Sequence, residues 1–123
     1  MNFFALILVG CAGIIGAVSR YLFSNWLKTK SSKFPLGTFG VNAIGCFLMG
    51  YFCAYFSVGS IERLVVCSGF IGSFTTFSTF IADVHELQET KLVIFKWIYI
   101  LSSVFLCLGM VWCGEIIYNW FMK

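Results

Sequence analysis

Four apolar stretches, at about 3–26, 36–58, 61–83 and 92–118, fill nearly all of this chain of 123 residues. A helix that crosses a bilayer needs roughly 20 apolar residues, so each stretch is long enough to span. Only 11% of the residues are charged, where a soluble globular domain has about a quarter. The pattern predicts an all-α membrane protein, with 1–123 forming a single four-helix transmembrane domain and no soluble domain left over. The first stretch has no basic leader and no cleavage site, so it is expected to stay as a helix.

The net charge of +3 bears on orientation, not on nucleic acid. Lys28, Lys30 and Lys33 lie between the first two spans, and Lys91 and Lys96 between the last two; Arg63 and Lys123 fall on the opposite side. The positive-inside rule places the lysine loops in the cytoplasm and the termini outside. The bias is small enough to permit insertion in both orientations. Cys11, Cys46, Cys53, Cys67, Cys107 and Cys113 all lie in apolar spans, without a Cys-x-x-Cys pair and with one histidine in the chain. That pattern fits neither a zinc site nor a redox motif, and the cysteines read as small, polarizable packing residues.

The most unusual segment is 69–80, Gly-Phe-Ile-Gly-Ser-Phe-Thr-Thr-Phe-Ser-Thr-Phe. It puts the hydroxyls of Ser73, Thr75, Thr76, Ser78 and Thr79 near mid-membrane, between Phe70, Phe74, Phe77 and Phe80. Such polarity is tolerated in hydrocarbon only where protein or a water-filled path surrounds it. The segment is therefore a candidate ion site; otherwise its hydroxyls bond back to carbonyls one turn earlier. Phe77 and Phe80 share a face if the backbone stays helical.

The first span carries Gly10, Gly13 and Gly16 at every third position, a face suited to close helix contact. Arg20 follows, beside Tyr21, either snorkelling to the interface or standing at the mouth of an ion path. The second span opens at Pro35, where a proline is allowed because its missing N–H has no helical partner. Asn42 is its only strong polar side chain, available for an interhelical hydrogen bond or for donation to an anion. The fourth span carries Tyr99, Ser103 and Cys107 at spacings of four, a weakly polar line along one face.

Three ordered motifs carry a resemblance over essentially the full length. They are Ala12-Gly13-Ile14-Ile15-Gly16-Ala17-Val18-Ser19-Arg20-Tyr21, then Pro35-Leu36-Gly37-Thr38-Phe39-Gly40-Val41-Asn42 with Gly45 and Gly50, then 69–80. Together they resemble the Fluc (CrcB) family of fluoride channels. The resemblance implies an antiparallel, dual-topology dimer with two pores and a third helix broken at mid-membrane. It implies a structural, untransported sodium ion held by the backbone carbonyls of Gly72 and Thr75 from both subunits. It places Asn42, Phe77, Phe80, Thr76, Ser78, Tyr99, Ser103 and Cys107 along the fluoride pore, and Arg20 and Asp83 at its mouth. Cys107 departs from an expected hydroxyl, and Asp83 from a more usual glutamate. The implied function is passive fluoride export across the inner or plasma membrane, protecting the cell from fluoride. The implied partners are fluoride, the bilayer, and an identical or related chain.

Physical chemistry agrees with that implication. Taking even a carboxylate-sized ion from water into a dry interior costs on the order of 20 kcal/mol, so donors must replace its water without trapping it. Neutral amide, hydroxyl and phenol groups suit that task, as do weakly positive aromatic edges. A proton-coupled multidrug transporter of similar size needs a carboxylate deep in the bilayer. Here Glu62, Asp83, Glu86, Glu89 and Glu115 lie in loops or near span ends. A non-catalytic assembly subunit would explain the small residues but not the Thr/Phe segment with Asn42. An enzyme is not expected, because no nucleophile–base pair is present and His85 has no partner motif.

Overall fold

The computed structural model describes residues 3–28 and 34–123. Among them there are helices and turns but no strand. Helix α1 covers Phe3–Lys28 and α2 covers Leu36–Tyr55. The third span begins with α3, Ile61–Arg63, and continues through a π-helical stretch, Leu64–Ile71, into α4, Gly72–Phe74. Next come α5, Ser78–Glu89, and α6, Val93–Phe121. Among the described residues, four helical stretches are long and apolar enough to cross a membrane: Phe3–Leu27, Leu36–Tyr55, Ile61–Glu89 and Val93–Phe121. The lysine-loop reading rests partly on the Lys28 side chain and on Lys30 and Lys33, which lie outside the described residues.

Several boundaries differ from the sequence expectation: α1 runs to Lys28 rather than 26 and α6 to Phe121 rather than 118. The second span stops at Tyr55 rather than 58, because Phe56 leaves the helix in an extended conformation (φ −89°, ψ 138°), ahead of a turn in which Gly59 adopts φ +84°. That left-handed conformation suits glycine. Ser60 then accepts from the Arg63 N–H at 3.2 Å and starts α3. The third span runs on to Glu89, well beyond 83.

Helix α2 packs mainly on α6, while α1 packs on the π-helical stretch and α4. Backbone proximity makes this possible. A Cβ at Gly50 would collide with the Val111 carbonyl, and one at Gly114 with the Phe47 carbonyl. These reciprocal glycines let α2 and α6 touch at backbone level, which is how helices gain packing where lipid supplies no hydrophobic drive. Gly16 does the same for α1 against the Phe70 carbonyl. Gly10 departs from the expected stripe, since nothing lies within 4 Å of its Cβ position.

Many large apolar side chains point outward, around a small core that includes Val41, Ile71, Phe74 and Tyr99. Ile14, Leu22, Phe105, Leu108 and Trp112 are all more than half exposed. In water such a surface would drive aggregation; in lipid it is the favourable arrangement.

Candidate functional site

The site forms where the third span leaves regular helix. Thr75 has φ −75°, ψ 159°, an extended conformation, and α5 begins only at Ser78. Asn42 of α2 grips this stretch from the side. Its Nδ2 donates to the Thr76 carbonyl at 2.8 Å, and its Oδ1 accepts from the Thr76 N–H at 2.8 Å. One primary amide thus satisfies the backbone donor and acceptor of a whole residue, which burial would otherwise leave costly. Its second N–H remains for another acceptor. Gly45, one turn along α2, makes room: a Cβ there would strike Thr75 Cγ2.

The same network diverts the helical partners of two carbonyls. In an α-helix the Gly72 carbonyl would accept from Thr76 N–H and the Thr75 carbonyl from Thr79 N–H. The Thr76 N–H is given to Asn42, and the Thr79 N–H goes to Thr76 Oγ1 at 3.2 Å. Thr75 also donates its own hydroxyl back to the Ile71 carbonyl at 3.1 Å. The Thr75 carbonyl is approached by Arg20 Nη1 at 3.4 Å, beyond a good hydrogen-bond length. Arg20 therefore turns inward, and it lines a cavity of about 280 Å³ together with Thr38, Thr76 and Thr79.

A second cavity, of about 460 Å³, is lined by Asn42, Gly72, Thr75, Thr76, Phe77 and Cys107, among others. Six residues singled out in the sequence thus meet around one space, and none of its lining residues is charged. Thr76 borders both cavities, and its hydroxyl lies 3.3 Å from Ser78 Oγ and donates to Thr79 Oγ1 at 3.1 Å. Phe77 sits outside the α5 helix proper and is 74% exposed. Its ring still neighbours Phe80, with centroids 5.9 Å apart.

Phe80, Tyr99, Asp83 and Ser103 are not among the residues that line this space. The Phe80 and Tyr99 rings are 5.1 Å apart at 38°. Tyr99 is fully buried and donates its hydroxyl to Asp83 Oδ2 at 3.1 Å. The Tyr99 O–H, a neutral donor by the sequence reading, is here given to a carboxylate. Ser103 Oγ and Thr38 Oγ1 are buried with no hydrogen bond among the described residues. Thr38 sits next to the Tyr99 phenol without meeting hydrogen-bond geometry. Sequence reasoning passed over Thr38, although it stands four residues before Asn42 on the same helix face.

A four-span bundle with a neutral polar space beside an irregular third span defines a multi-pass membrane protein. Residues 7–115 match the family model "CrcB-like protein, Camphor Resistance (CrcB)". The chain is 40% identical to a fluoride-specific ion channel FluC of Oceanobacillus iheyensis, covering 89% of this chain and 87% of that protein. It is 36% identical to the FluC of Nitratiruptor sp., over 97% and 95% of the two chains. It is 42% identical to that of Rhizobium johnstonii, over 88% and 90%. The chain belongs to the CrcB family.

Proposed function

We propose that this chain is a fluoride-selective channel, not an enzyme, and that it lets fluoride leave the cell passively across the plasma or inner membrane. The observation that carries the reading is the uncharged cavity beside Asn42, lined by an amide, Thr hydroxyls and the Phe77 ring. Neutral donors can replace part of an anion's hydration without holding it as a fixed cation would. The names of the relatives, fluoride-specific ion channels, supply the identity of the anion. The buried hydroxyls of Ser103 and Thr38 extend the donor set toward α6.

The working unit in this proposal is an antiparallel dimer, with an identical or a related chain as the second subunit. The third span is then a helix broken at mid-membrane, a reading supported by the extended Thr75 backbone. The exposed Phe77 ring would reach toward the second subunit. A sodium ion would be held by the Gly72 and Thr75 carbonyls of both chains. The helical partners of both carbonyls are diverted, which favours such a role, and the Arg20 guanidinium, 3.4 Å from the Thr75 carbonyl, would have to turn aside for the ion to bind there. The ion would supply a fixed positive charge at the subunit junction.

Liposomes with matched sodium and a fluoride gradient test the passive mechanism. Fluoride should leave at the same rate with or without a pH gradient; a strict requirement for one would make the protein a transporter. Replacing sodium with lithium or potassium should lower the flux while the fluoride gradient is unchanged. Full flux with sodium verified absent would remove Gly72 and Thr75 as ion ligands and leave the channel reading intact.

A further inference from the structure

A third cavity shares Met49 and Gly72 with the 460 Å³ space and runs from there toward the α2–α3 end of the bundle. It measures about 750 Å³ and reaches from Gly72 to the α2–α3 turn at Gly59 and Ser60. Met49, Cys53, Cys67 and Arg63 are among its lining residues. The Cys53 Sγ lies 3.6 Å from Met49 Sδ and 3.6 Å from Cys67 Sγ. Three sulfurs from two helices thus meet on one cavity, although 14 positions separate the two cysteines in sequence. Neither cysteine is in a disulfide.

We propose that Met49, Cys53 and Cys67 bind a soft monovalent metal ion, Cu(I). Thiolate and thioether ligands select Cu(I) over harder cations. A metal–sulfur bond of about 2.3 Å at trigonal or tetrahedral angles separates its sulfurs by roughly 3.8–4.0 Å. The observed pairs need little adjustment to reach that spacing. Charge also balances. On binding, both thiols release their protons to water, and two thiolates then face one Cu(I) and the Arg63 guanidinium, a sum of zero. A neutral assembly is what a low-dielectric surrounding requires. The cavity has no His or carboxylate lining it, which leaves a sulfur-only set unsuited to magnesium or calcium.

The purified, reduced full-length chain in detergent tests the site by competition with a colorimetric Cu(I) chelator. One Cu(I) per chain is expected, with an X-ray absorption spectrum of sulfur-only coordination. Cys53→Ala and Cys67→Ala should each weaken binding at least ~100-fold, about 2.7 kcal/mol. Met49→Leu, a swap that conserves apolar volume, should weaken it roughly tenfold, about 1.4 kcal/mol, without disturbing the fold. Cys11→Ala and Cys113→Ala should bind as the unchanged chain does. Undiminished affinity in the Cys53 and Cys67 variants would overturn the site. So would a nitrogen or oxygen shell in the absorption spectrum of the unchanged chain, which needs no variant to fold.

Discussion

Fluoride efflux through an Asn42→Ala variant is expected to fall at least ~100-fold, equivalent to about 2.7 kcal/mol added to the barrier. The substitution removes both 2.8 Å bonds to the Thr76 backbone. It also removes the one N–H that points free of that clamp. Two buried backbone groups left unpaired cost about 1–3 kcal/mol each, and the chain has a cheap way to avoid that cost. Thr76 N–H can return to the Gly72 carbonyl, extending α4 as ordinary helix and closing the irregular stretch. Asn42→Asp separates the contributions. It keeps an acceptor for Thr76 N–H, loses the donor, and puts a negative charge in the path of an anion. That variant should purify well and still fail to conduct. Flux is read by a fluoride electrode on liposomes, with size-exclusion chromatography reporting assembly. Unchanged flux in either variant would reduce Asn42 to a packing residue.

Phe80→Ile should lower flux at least tenfold, about 1.4 kcal/mol in barrier, while leaving the protein folded. Isoleucine keeps apolar bulk but has no polarised ring edge to offer an anion. The Phe80 ring lies 5.1 Å from Tyr99 and 5.9 Å from Phe77, so it joins the buried polar line to the exposed ring. If ring edges matter, Phe80→Tyr should conduct better than Phe80→Ile, because it retains the aromatic edge. Equal conduction in the wild-type, isoleucine and tyrosine proteins, measured in the same liposomes, would assign Phe80 to packing alone.

The helical class and the four spans were legible in the sequence, because apolar length alone separates lipid-spanning helices from everything else a chain of this size can form. The site was legible in part. Asn42 stood out as the only strong polar side chain on its span, and the Thr/Phe segment as misplaced polarity. What they do to each other was not legible. That Asn42 would clamp the Thr76 backbone, while the Thr76 hydroxyl takes the Thr79 N–H, depends on how closely α2 approaches Thr75 past Gly45. No sequence period encodes that approach. Tyr99 shows the opposite case. Its place in the line of Tyr99, Ser103 and Cys107 was readable, but its pairing with Asp83 joins two spans and required the packed bundle. The Met49–Cys53–Cys67 cluster was hidden for the same reason, since no Cys-x-x-Cys spacing announces thiols that meet across helices.

The most direct test of the central claim is paired efflux of fluoride and chloride from liposomes containing only this purified chain. Each anion is loaded at the same gradient, and the membrane potential is clamped with a potassium ionophore. A cavity built from neutral donors and ring edges should release fluoride rapidly and hold chloride at the rate of empty vesicles. Comparable efflux of the two anions would contradict a fluoride-selective channel.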